Sequence, residues 1–554
     1  MLRGGQKLAQ REWAGSSIHL WQLARPRPDG LADGPRSRRP ADPEIGRQIL
    51  AGRLVLAGAT DEFGAGGDPW DRPSPTRRFA QALHRFEWLG DLLALGEAGQ
   101  AEAMRLVAGW DRVFGRWNGF SWDASVLERR TASLACAAFD IAPFASEGER
   151  DRLALNLARQ GRHLLALALG PARASERAVA AALAGTALAG EAGEILIDQG
   201  LLALERHLPV TVQSDGGHAS RSPRAALELL LDLQALDGGL ERRGIATPDT
   251  VMRAIDRLVG VVRFFCLPDG QLPEFQGGDA ASVALVQAAL PALEVQPPPP
   301  ASRNGYHRLI GRQLQVIADA APPASGAWSE AACAQPLAME VMAGPRRLIV
   351  SCGWTPDAAG PQAMRLADAA STVCLGDQTC GAPMRGFLAS GLGPRLIGAY
   401  GEVEARRHAA DGGLWLELSH DGWGPRFGLR HERRLYLDLA TDELRGEERL
   451  VNLQQVAPEA GRFVPFVVRF HIHPDVRASL ARDAKSVLLR ADGEETGWWL
   501  RNDAQEVSVE TSVYFRAGQP RRAQQVVLRG HARPDVGARV RWKLAAAEAW
   551  PPPH

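Results

Sequence analysis

The stretch Leu290-Pro291-Ala292-Leu293-Glu294-Val295-Gln296-Pro297-Pro298-Pro299-Pro300-Ala301 divides this chain. Four consecutive prolines cannot be helical and tend to polyproline II, and the hydrophobic period differs on either side of them. Upstream, apolar residues recur at helical spacing from Phe79, through Leu83, Phe86 and Leu89. The spacing predicts helices at about 101–117, 124–140, 147–169, 173–189, 191–206, 223–236, 247–265 and 279–290, broken at Pro143, Gly170-Pro171 and Gly190. Successive helices with short loops pack as antiparallel pairs, so the expected architecture is an (α/α) toroid of helical hairpins or a superhelical bundle. Downstream come short alternating or apolar runs: Arg347-Leu348-Ile349-Val350, Leu414-Trp415-Leu416-Glu417-Leu418, Arg434 to Leu439, Phe466 to His473, Ser486 to Arg490, Gly497 to Arg501 and Gln525 to Leu528. Asp411-Gly412-Gly413 and Asp492-Gly493 are hairpin breaks, which makes this half an antiparallel β-sandwich and the chain an α+β multidomain protein.

The remaining boundaries follow from composition. Residues up to 45 are rich in Arg, Pro, Gly and Asp and cannot bury enough apolar surface to offset their ordering entropy, so they read as a disordered or draped arm. The expected division is an arm over 1–45, a helical domain over 46–296, a Pro-rich linker over 297–304 and a sandwich over 305–550. A length of 554 residues exceeds one hydrophobic core. Lys plus Arg equals Asp plus Glu at 64 each, which excludes a global field for nucleic acid or an anionic membrane and makes any anion site local. Arg far outnumbers Lys and Ala and Gly abound, a bacterial, high-GC signature. The six cysteines have no C-x-x-C spacing, so neither a zinc knuckle nor a disulfide framework is expected. No run of about 18 apolar residues predicts a membrane span. Arg3 and Lys7 precede no apolar signal core, and the expected compartment on that ground is the cytoplasm.

Within the helical half, Asp215-Gly216-Gly217-His218-Ala219-Ser220-Arg221-Ser222-Pro223 interrupts the amphipathic pattern. Asp-Gly-Gly is a turn signal, and Ser222-Pro223 reads as an N-cap followed by proline at the first helical position. Between them His218 can move a proton and Arg221 can hold an anionic group. An ordinary helix-helix loop with solvated side chains is the plain alternative.

A helical toroid followed by an antiparallel sandwich is shared by several polysaccharide lyases, and the chain resembles the heparinase II/III-like family. The resemblance rests on Gly305-Tyr306-His307-Arg308-Leu309, His420-Asp421-Gly422-Trp423, Gly428 to Leu435 leading into Leu444-Arg445-Gly446-Glu447-Glu448, Arg469-Phe470-His471-Ile472-His473-Pro474 and Arg521 to Gln525. Weaker features are Asp68-Pro69-Trp70-Asp71, Phe86-Glu87-Trp88-Leu89 and the Asp215 loop. The resemblance implies β-elimination on a uronate-containing polysaccharide such as a glycosaminoglycan, with no cofactor, in a cleft where helix loops meet the sandwich. It also makes a periplasmic location an expectation. That chemistry needs a Tyr or His as acid or base and a cation or hydrogen-bond donor facing the carboxylate. The candidate catalytic residues are His218 and Tyr306; the candidate substrate-binding residues are Arg221, Arg130 and His431.

The chain departs from the family pattern where the chemistry should lie. Arg224, Ala225 and Ala226 stand where active relatives place a Tyr-His pair, and Ser329 to Glu340 has no histidine where relatives carry a His-rich turn. Ala369-Ala370 replaces a further histidine. No metal site is therefore expected, although His471 and His473 flank Ile472 on one strand face. Three readings stay open: an acidic-polysaccharide lyase, a catalytically degenerate glycan-binding or cell-envelope assembly protein, and a helical scaffold for protein partners.

Overall fold

The structure, a computed structural model, describes residues 12–547 apart from 168, 281, 291–300, 357–361, 454–462 and 517. Helices occupy the upstream half much as their periodicity predicts: Glu97–Phe114, Ala124–Ile141, Glu147–Ala166, Ala174–Thr186, Glu191–Thr211, Pro223–Arg242, Asp249–Phe265 and Val283–Ala289. Local chemistry starts them. Asp123 caps Ala124–Ile141 by accepting from the Ser125 amide, and Ser146 with Glu149 forms a reciprocal capping box for Glu147–Ala166. Ala174–Thr186 is buried at every residue, and its run of alanines lets its neighbours approach closely. At Gly200 a methyl group would come 2.8 Å from Ala182, which excludes any side chain there.

Residues 12–45 carry local structure and contacts of their own. Helix Ser17–Leu23 places His19 Nε2 3.0 Å from His163 Nδ1. Arg162 donates to the carbonyls of Leu23 and Pro26, and Gly30–Leu31 pairs with Leu188–Ala189. Arg39 forms ion pairs with Asp232 and Glu228. Composition alone misses this because the partners of these residues are far along the chain.

Downstream of the prolines, an eight-stranded antiparallel sheet runs in the order 403–410, 413–420, 429–438, 443–452, 538–546, 498–502, 486–491, 476–480. The second, nine-stranded sheet is built from 506–516, 519–532, 464–472, 346–350, 339–343, 314–319, 306–310 and 302–303, with 373–375 pairing 464–472. The inner faces share one core, in which Leu309, Val316, Val341, Phe470 and Val526 meet Leu416, Leu435, Leu444, Leu500 and Leu544. Burying two apolar faces against each other is the solution for sheets patterned by twos.

The two compact units are not contiguous in sequence. One comprises Met1–Gly217, Ala226–Gly260 and Gln287–Ala292; the other comprises His218–Ala225, Val261–Val286 and Leu293–His554. His218–Ala225, within the span expected to form the helical domain, groups with the second unit. Pro297 to Pro300, the expected linker, lie outside the described residues.

Candidate functional site

Arg221 organises the sequence-predicted site. Its backbone is left-handed, with φ +61°, an uncommon conformation for a branched-free but bulky side chain. From there the guanidinium turns inward. Nε donates to the Asn304 carbonyl at 3.3 Å, Nη1 to the carbonyls of Ala321 and Pro322 at 3.0 and 2.8 Å, and Nη2 to the Gly305 carbonyl at 3.2 Å and Asp319 Oδ1 at 2.6 Å. A guanidinium has about five N–H donors, so these bonds saturate it. The Tyr306 ring lies beneath, 4.7 Å from the guanidinium carbon. Burial opposes the charge, but the Asp319 carboxylate outweighs it and holds Arg221 above its usual pKa. Arg221, the expected clamp for a substrate carboxylate, is thus a buried cation whose carboxylate partner is Asp319 of the same chain.

Tyr306 is fully buried, and its hydroxyl donates to the Arg221 carbonyl at 2.9 Å. Burial, reinforced by Asp319, pushes the phenol well above its ordinary value, so at neutral pH it is a donor with its proton already committed. Tyr306, the expected acid or base, is thus held inside the protein with its hydroxyl on a backbone carbonyl. Asp319 completes the cluster through Oδ2, which accepts from Gln276 Nε2 at 3.0 Å, and Gln276 in turn holds the Cys333 backbone through its carbonyl oxygen.

His218 joins the same cluster but is not presented on a solvated loop, being only 2% exposed. Its Nδ1 accepts from the Ser220 amide at 3.1 Å and lies 2.7 Å from the Ser220 hydroxyl, and the ring meets Trp328 edge-on at 5.7 Å. An accepting Nδ1 places the proton of the neutral ring on Nε2.

His431 belongs to a different buried chain. His420 Nδ1 accepts from the Gly422 amide, so its Nε2 proton points to His431 Nδ1 at 3.3 Å, and His431 Nε2 then donates to Glu448 Oε2 at 2.8 Å. Arg433 Nε and Trp542 Nε1 also donate to Glu448. Burial lowers the pKa of both imidazoles, whereas Arg433 and His431 overcome burial to hold Glu448 at about 2. His431, expected to bind substrate, has no exposed surface. The sequence did carry a signal: His431 and Arg433 share strand parity with Leu429, Leu435 and Leu437, which face the core, whereas Arg434 points the other way.

Arg130 lies in the helical unit, fully buried over the Trp110 ring at 4.3 Å. It donates to Gln160 Oε1 and the Ser121 carbonyl, and a line of amides runs from Gln160 to Asn156 to the Asp111 carboxylate. Burial brings its pKa down to about 9. Arg130, expected to bind substrate, is thus a fully buried residue of the helical unit.

Sequence reasoning missed a further buried group. Arg347 bridges Asp269 and Glu274; Tyr514 donates to Glu274 Oε1 at 2.6 Å; Glu340 Oε1 accepts from the Glu274 amide at 2.8 Å. No local pattern links residues this far apart. The same-face pairing of His471 and His473 does not form a joint site either: His471 bonds Ser512 and the Asp368 carbonyl, while His473 packs on Tyr514.

Comparison with known proteins places this arrangement. The heparinase II/III-like C-terminal family model matches residues 295–543. The chain is 51% identical over 544 residues to FtsZ-localized protein C of Caulobacter vibrioides, covering 97% of this chain and 94% of that protein. Among solved structures, heparinase III superposes with a TM-score of 0.70 at 14% identity, covering 97% of this chain and 90% of that one. A heparan sulfate lyase HepC mutant from Pedobacter heparinus gives 0.56 at 13% identity, covering 97% and 88%. At such identities the structures speak for the fold, and the sequence relative speaks for kinship. The chain belongs to the heparinase II/III-like family.

Proposed function

We propose that this protein is a catalytically degenerate member of its family that serves as an assembly protein of the cell-division apparatus. The observation that carries the proposal is the saturation of Arg221: the cation best placed to neutralise a substrate carboxylate already bonds four carbonyls and Asp319. Tyr306, the best tyrosine for proton transfer, is sealed and donates to a backbone carbonyl. Elimination needs a group that strengthens its contact as enolate charge develops, and a saturated guanidinium cannot do that. The absence of histidine from Ser329 to Glu340 points the same way. Kinship to a protein named for its localisation with FtsZ supports a division-related reading. Among the described residues no helix is long and apolar enough to cross a membrane.

Two measurements test this. Purified protein incubated with heparan sulfate, hyaluronan, alginate and other acidic polysaccharides should release no unsaturated uronate by ultraviolet absorbance. A fluorescent fusion expressed in its native host should gather at the division plane and disperse when FtsZ is depleted. Turnover of any of those polymers, abolished by His218→Ala, restores the lyase reading; a fusion indifferent to FtsZ removes the division reading.

A further inference from the structure

The strand Val403–Ala410 is the outer edge of the eight-stranded sheet. It returns to the sheet through a two-residue hairpin in which Asp411 and Gly412 have φ 55° and 74°, and Ala410 faces Gly413. The Leu439 amide donates to the Gly412 carbonyl, so even-numbered backbone groups of the second strand serve the sheet interior and odd-numbered ones serve the edge strand. By the register, residues 404, 406, 408 and 410 take up those bonds. Val403, Ala405, Arg407 and Ala409 therefore turn their N–H and C=O groups outward, and no backbone group among the described residues meets them.

Edge strands are usually guarded by charge, and this one carries Glu404, Arg406 and Arg407. Here the charges do more than repel. We propose that this edge pairs antiparallel with the same edge of a second copy, about a two-fold axis at Ala405. Outward groups must face outward groups, which leaves few registers. An axis at Glu404 opposes two glutamates, one at Arg406 opposes two arginines, one at Arg407 does the same for that residue, and one at Val403 brings Glu402 against Glu404. With the axis at Ala405, Glu404 of each copy lies opposite Arg406 of the other, and the small Ala405 side chains meet at the centre. Directly opposed residues in such pairs are close enough for their charges to decide the register.

Both charges are available for this. Glu404 is 75% exposed at its side chain, with only a rim contact to Arg430 at 3.3 Å and to Ser419 at 3.2 Å. Arg406 is exposed and has no carboxylate within ion-pair distance among the described residues. Closure of the pair would join two eight-stranded sheets into one continuous layer, with isologous symmetry.

The test is sedimentation of the full-length chain over a concentration series. The wild type should dimerise reversibly. Arg406→Glu, which sets acid against acid twice, should raise the dissociation constant about tenfold or more, and the swap Glu404→Arg with Arg406→Glu should restore it. Ala405→Pro removes an outward N–H that serves no bond within the chain, so it should abolish the dimer while leaving the melting temperature unchanged. A wild type that stays monomeric throughout the series, or a dimer indifferent to both Arg406→Glu and Ala405→Pro, overturns the proposal.

Discussion

Replacing Arg221 by alanine should destabilise the β-rich unit rather than weaken capture of a ligand. The substitution leaves Asp319 buried at 1% exposure, with Oδ1 holding only the Ala321 amide at 3.3 Å and Oδ2 the Gln276 amide. Removing one partner of a buried ion pair costs about 3–5 kcal/mol, because the remaining charge has lost both water and its counter-ion. The carbonyls of Asn304, Gly305, Ala321 and Pro322 lose a donor as well, which places the loss toward the upper end of that range. At roughly 2–4 °C per kcal/mol for a large domain, the melting temperature should fall by about 6–20 °C. Arg221→Lys should recover part of the loss, since it keeps the charge but not the fork. A cycle of Arg221→Met, Asp319→Asn and the double variant should show strong coupling between the two positions. The assay is calorimetry or circular dichroism at neutral pH. If Arg221→Ala melts with the wild type while binding to acidic glycans collapses, the saturated-cation argument is wrong and Arg221 is a ligand clamp after all.

Other outcomes follow from the buried charges. Glu448 is held at about 2, below its ordinary 4.5, so its contribution is complete above pH 4.5 and is lost as pH falls toward 2; Glu448→Gln should remove about 3 kcal/mol of that acid-sensitive stability in urea titrations. Burial lowers His163 and His471 to about 4, so folding excludes their protons and stability should fall as pH drops from 6.5 toward 4, with His471→Gln flattening the profile. Glu340 has the opposite sign: burial and the neighbouring Glu274 raise it well above its ordinary value, so it costs stability as pH rises past the unfolded carboxylate range, and Glu340→Gln should melt higher than wild type at pH 8 or so. Tyr306→Phe deletes only the bond to the Arg221 carbonyl and should cost about 1 kcal/mol by denaturant unfolding.

The sequence alone determined what depends on neighbours along the chain. Helix Ala124–Ile141 follows from apolar period and its Asp123 cap, Asp249–Phe265 from apolar period, and the Asp411-Gly412 hairpin from residues that accept positive φ. The switch to strands after the prolines belongs to the same class, since a period of two is visible in a few residues. Which charges are buried was decided only by tertiary structure. Arg221 finds Asp319 at a separation of 98 residues, and Tyr514 finds Glu274 at 240. Adjacent Arg433 and Arg434 differ in fate because one faces Glu448 in the core and the other an open sheet face. A charged side chain reads as solvated until its counter-ion is known, because burial of an ion is tolerable only beside a partner that the local sequence does not contain.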